Sequence, residues 1–250
     1  MLRFKFIPKF SFIILFAFVV FTIVGTQLHE LGHIAVAKYY GYETELYHDS
    51  MTYYHKGIMQ DADYIKLEEL YKRNKNLEYE EFSQNVKDEV EVLNKNLDKK
   101  YPEQINNSGL YVTIGGPAQT ILTSIIGFVI LLHKRRKRYD FKLLDWIAVF
   151  LALFILREVF NFCNAMFSFL FYNQTDFAGD EFGISSTLGL NQWLLPSVML
   201  VIGLVLSLYV IFRLIPIKYR FSFIISGFIG GLLGYFIWFG FLGEWVFRFF

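Results

Sequence analysis

Five stretches of this chain are each long and apolar enough to cross a lipid bilayer as helix. They run from about Phe10 to Leu28, Leu110 to Leu132, Leu143 to Tyr172, Trp193 to Leu214, and Phe221 to Phe241. A hydrocarbon core needs about 20 mostly apolar residues in helical form. The third stretch would make roughly 45 Å of helix, so it must tilt, bend or project. The expected fold is therefore an all-α polytopic membrane protein of about five transmembrane helices, with a charged, partly helical insert between the first two.

Composition agrees. Apolar residues make up 54% of the chain and charged residues 19%, against roughly 25% charged in a soluble domain. A disordered chain and most soluble folds are excluded. The single Cys, Cys163, excludes an internal disulfide and a cysteine-based zinc site. No basic domain points to nucleic acid.

Three segments follow. Residues 1–41 hold the first transmembrane helix. Its basic start (Arg3, Lys5, Lys9) has no small-x-small cleavage pattern after it, so an uncleaved helix is expected. Residues 42–108 form an extramembrane insert with 15 Asp/Glu and 9 Lys/Arg. Within it, the Tyr- and Thr-rich stretch from Tyr42 to Gly57 reads as a short hairpin. One or two amphipathic helices are expected from about Asp61 to Lys100, ended by Tyr101-Pro102. Residues 109–250 form a membrane domain of about four helices.

Loop charge gives an orientation. The run 134–138, then Arg213, Lys218 and Arg220, and the basic N-terminus all fall on one side. That side is expected to be cytoplasmic, with the acidic insert outside, in a cell membrane.

The chemistry concentrates in His29-Glu30-Leu31-Gly32-His33, at the end of the first span. Residues four apart share a helix face, so both imidazoles can reach one zinc ion. Glu30 stands beside them, placed to take a proton from water that the metal acidifies. A catalytic zinc wants three protein ligands and one open position. No Cys lies near, so a carboxylate is the expected third ligand. The acidic stretch after the third span offers Asp180 as that ligand, with Asp176 as the alternative and Glu181 behind them. Gly115-Gly116-Pro117 opens the second span, and paired glycines allow close backbone approach. The first span ends, the second begins and the third ends on the same side of the membrane, whatever the orientation. Arg157 and Glu158, midway along the third span, read as an interhelical polar pair or as lining of water access, with Asn161 and Asn164 one and two turns on.

His29-Glu30-Leu31-Gly32-His33, a later Gly-Gly-Pro opening a span, and an Asp near another span together resemble the site-2 protease family, which are intramembrane zinc metalloproteases. The resemblance covers the first three spans and their junctions. It implies His29 and His33 as zinc ligands, Glu30 as catalytic base and an Asp as the third ligand. It also implies that the Tyr42 to Gly57 stretch corresponds to strands on which an unwound substrate adds. Gln119 and Thr120 stand where the family often has Asn, and Gly179-Asp180-Glu181 departs from its usual Asp-Gly order. The expected function is hydrolysis of a peptide bond in or next to a membrane segment, with one zinc ion and a membrane-protein substrate. Two other readings stand beside it. One is a membrane-anchored gluzincin-like protease cutting outside the bilayer, suggested by the Asp176 to Asp180 spacing. The other is a non-enzymatic transporter or scaffold with a vestigial zinc site.

Overall fold

The computed structural model describes residues 5–75, 77–102, 107–135, 141–177 and 179–249. Of the basic run, residues 136–138 lie outside the described residues, as does Ala178 in the acidic stretch. About 79% of the chain is helical, with almost no sheet.

Helix α1 spans Pro8–Tyr39 and begins with Pro in its first turn, where the missing N–H costs nothing. It runs well past Leu28, so the His-Glu-x-x-His segment lies on a continuous helix. The chain then turns at Gly41, whose φ of 78° suits glycine. Strands β1 (Glu43–Leu46) and β2 (Met51–Tyr54) pair antiparallel, with Glu43 opposite Tyr54 and Leu46 opposite Met51. The expected hairpin is present.

The insert continues with α2 (Ala62–Arg73) and α3 (Gln84–Lys100). Asp61 caps α2 by accepting from the Asp63 N–H at 2.8 Å. The two helices bury Leu70, Val90 and Leu93 against each other. At its far end, Lys100 Nζ reaches Asp61 at 2.9 Å and Asp63 at 2.9 Å, closing the pair.

Among the described residues, four helices are long and apolar enough to cross a membrane: α1, the Ser108–His133 part of α4 (Ser108–Arg135), Leu194–Leu214, and Ile217–Phe247. The last two each contain a π-helical turn. Helix α8 (Leu194–Tyr209) passes through one at Val210–Leu214, and α9 (Ile217–Ile237) passes through another at Trp238–Leu242 into α10 (Gly243–Phe247). Their outer faces carry exposed large apolar side chains such as Phe12, Phe16, Leu122, Val205, Phe228 and Phe236.

The third apolar stretch is not one helix. It forms α5 (Leu143–Ala152) and α6 (Leu156–Tyr172), joined by a tighter turn at Leu153–Ile155. No proline or glycine marks that turn. It coincides with full burial: Ala152 and Ile155 are among the least exposed residues of the chain. Close packing there is set by Gly127 of α4, where a Cβ would come within 2.7 Å of the Ala148 carbonyl oxygen.

In lipid, helix association relies on close packing rather than on burial from water. Helix α1 meets α9 through Gly230 and Gly234. A Cβ on Gly230 would lie 2.5 Å from the Leu15 carbonyl oxygen, and one on Gly234 would lie 2.8 Å from Thr22 Oγ1. A core of Ile14, Val149, Val210, Ile215 and Phe223 joins α1, α5, the α8 π-turn and α9. Last, the eight-residue helix α7 (Asp180–Thr187) packs against α4 and α8 and so carries its first residue toward α1.

Candidate metal centre

His29 and His33 lie one turn apart on the buried face of α1. Their Nε2 atoms are 3.2 Å apart. Asp180, the first residue of α7, places Oδ2 2.7 Å from His29 Nε2 and 3.3 Å from His33 Nε2. Three ligand atoms from two distant parts of the chain thus meet at one point.

The outer nitrogens fix the rings. His33 Nδ1 lies 2.7 Å from the Val112 carbonyl oxygen and 3.2 Å from the Gly116 backbone nitrogen, and the shorter contact, to an atom that can only accept, favours the proton on Nδ1. In that tautomer the neutral ring turns a lone pair at Nε2 toward His29 and Asp180. His29 Nδ1 is 3.0 Å from Thr120 Oγ1, a hydroxyl able to accept from it. Such outer partners orient metal-binding imidazoles.

Lone pairs from two imidazoles and a carboxylate, turned toward one another, repel unless a proton or a cation sits among them. Ligands about 2.0–2.2 Å from a tetrahedral zinc stand roughly 3.3–3.6 Å apart. The observed separations of 2.7–3.3 Å are slightly tighter. As it stands the 2.7 Å contact is a direct hydrogen bond, and with a small opening of these separations the donor set of His29, His33 and Asp180 could hold a metal ion.

Gly115-Gly116-Pro117 sits in the third turn of α4, with all three residues buried. Gly32 of α1 and Gly115 face each other so closely that a Cβ on either would meet the other's carbonyl oxygen at 2.5 Å. A Cβ on Gly116 would come within 2.5 Å of His29 Nε2 and closer still to His33 Nε2. The glycine pair makes room for the imidazoles, and Pro117 follows on the same buried turn.

Glu30 is buried beside the histidines, with its ligand atom within 4.8 Å of theirs. Its Oε1 lies 3.7 Å from Arg157 Nη2. A cleft of about 670 Å³ opens from Glu30, His33 and Asp180. Its walls come from Met51 and Tyr53 of the hairpin and from Arg157, Asn161, Asn164 and Ser168 of α6. Spacings of four, three and four put these last four on one face of α6.

The chain brings together His29, Glu30, His33, Gly115, Gly116, Pro117 and Asp180. Asp176 stays apart: its side chain is exposed, and its backbone carbonyl accepts from Gln174 Nε2 at 2.7 Å. Arg157 and Glu158 each face another helix: Arg157 lines the cleft and reaches Glu30 of α1 across 3.7 Å, while Glu158 is buried beside Glu181 of α7. His48 and His55 stay out of the centre and pack near Trp238 and Tyr42 respectively. The part played by Ser168 in the cleft wall had no sequence signal beyond helical spacing. Comparison of the chain with protein-family models, curated proteins and solved structures returns no match.

Proposed function

We propose that this chain is an intramembrane zinc metalloprotease that hydrolyses a peptide bond in or next to a membrane segment of a protein substrate. The observation that carries the reading is the convergence of His29 Nε2, His33 Nε2 and Asp180 Oδ2 beside the buried Glu30. In this reading α5 and α6 together make a fifth crossing, and the substrate enters the cleft between the hairpin and α6.

His29, His33 and Asp180 would hold one zinc ion. Bound there, the ion supplies Lewis acidity, which favours hydroxide at neutral pH and polarises a carbonyl. Glu30 accepts one proton of the attacking water and passes it to the leaving nitrogen, and the water's second proton follows to that nitrogen as the new carboxyl ionises. The C–N bond breaks, the water oxygen ends in the new carboxylate, and the amine leaves protonated. Thr120 and the Val112 carbonyl hold the imidazoles in register, and Gly116 keeps the space beside them open.

Zinc content of the purified full chain, together with cleavage of single-span membrane proteins by wild type and Glu30→Gln, tests the reading. Stoichiometric zinc in both and cleavage only by wild type is the expected result. Full activity in Glu30→Gln would overturn it.

A further inference from the structure

Within that proposed function, one charged group near the centre has no assigned work. Arg157 opens the first turn of α6, directly after the Leu153–Ile155 turn, and its side chain is 26% exposed, toward the cleft. The 3.7 Å from its Nη2 to Glu30 Oε1 is too long for a hydrogen bond. Its Nε is buried without a hydrogen-bond partner, and its Nη2 meets Glu30 only at that longer ion-pair distance. The guanidinium thus keeps donor capacity inside a cleft, where unmade hydrogen bonds are expensive.

We propose that Arg157 is a catalytic residue: its guanidinium donates to the oxygen of the scissile carbonyl as that oxygen gains negative charge. The argument is positional. The attacked carbonyl must lie beside the base that activates the water, and Arg157 is the cationic side chain at Glu30. Preorganised donors aimed at developing charge act most strongly where water is excluded. Were its work to neutralise Glu30, a close bidentate pair near 2.8 Å would be expected, and that pair would weaken the base. Were it to anchor a substrate's terminal carboxylate, it would sit about one residue, roughly 3.8 Å, beyond the reacting carbonyl. Its place beside Glu30 favours the oxyanion role.

The test uses the zinc-loaded full chain in detergent micelles and two probes of one leucine-flanked sequence. In the first, –PO2⁻–CH2– replaces the peptide bond, mimicking the tetrahedral oxyanion. The second is the intact amide, bound to Glu30→Gln protein so that it is not cleaved. Arg157→Met should weaken phosphinate binding by about 100-fold or more, the scale of losing an oxyanion donor. Arg157→Lys should fall between, and zinc content and amide affinity should not change. Unchanged phosphinate affinity, equal weakening of both probes, or failure of the zinc-loaded wild type to bind the phosphinate would each overturn the proposal. So would loss of zinc from both variants, which would make Arg157 a structural residue. Absence of zinc from wild type would instead sink the protease reading, so the two failures are distinguishable.

Discussion

The imidazoles of His29 and His33 face each other through Nε2 at 3.2 Å, while each outer nitrogen contacts a different residue of α4, Thr120 for one and Val112 for the other. Both rings are thus steered by a helix they do not belong to. Replacing either histidine by Ala should abolish stoichiometric zinc, read by mass spectrometry of the purified protein. A chelator should mimic the variants, with activity restored by zinc. Full zinc retention in the double variant would remove the metal-site assignment.

Asp180 and Asp176 should separate cleanly. Asp180→Ala removes an oxygen 2.7 Å from His29 Nε2, whereas Asp176 is exposed away from the rings. Competition with a zinc dye should show affinity loss of at least about tenfold for Asp180→Ala, on the scale of weakened metal sites, and none for Asp176→Ala. The reverse ranking would move the ligand to Asp176.

Glu30→Gln keeps size and shape but cannot act as a base. The variant should fold, stay in the membrane and hold zinc, with cleavage slowed by about 100-fold or more. Accumulation of an uncleaved single-span protein in cells carrying the variant is the cellular form of the same measurement.

Gly116→Ala is a steric test. The added methyl would fall where His29 Nε2 and His33 Nε2 now stand, so zinc affinity should drop at least as far as with Asp180→Ala. Gly231→Ala, on a glycine with nothing within 4 Å, should leave zinc binding and thermal unfolding unchanged.

The α2–α3 pair should loosen in acid. Lys100 holds the Asp61 carboxyl below its ordinary value of 3.8. A carboxyl lowered on folding stabilises above its unfolded value, and that contribution fades as pH falls through the lower folded value. Amide exchange at the start of α2 should therefore rise only below about pH 4. In Lys100→Met it should already be raised at neutral pH. Because the pair is exposed, high salt should reproduce part of the effect.

Much of this was legible in the sequence, because the signals were local. Apolar runs marked the four long helices, helical spacing put His29 and His33 on one face, and Asp61 and Tyr101-Pro102 bounded the insert helices. Three features were not legible. The turn at Leu153–Ile155 has no breaker residue and coincides with packing against α4. Asp180 could be named ahead of Asp176, but the docking of α7 on α4 and α8 that brings it to the rings is a tertiary event no spacing records. Arg157 was visible as a charge in an apolar run, but the direction of its side chain follows from where α6 restarts after that turn.

Asp180 is synthesised 151 positions after His29. A ribosome adding 5–20 residues each second leaves the two rings without their carboxylate for roughly 8 to 30 s. During that interval α1 lies in lipid carrying two imidazoles and a glutamate, before α4, α6 and α7 have arrived in turn. In the proposed reading, the metal centre is therefore completed only once α7 has been made and has docked on α4 and α8.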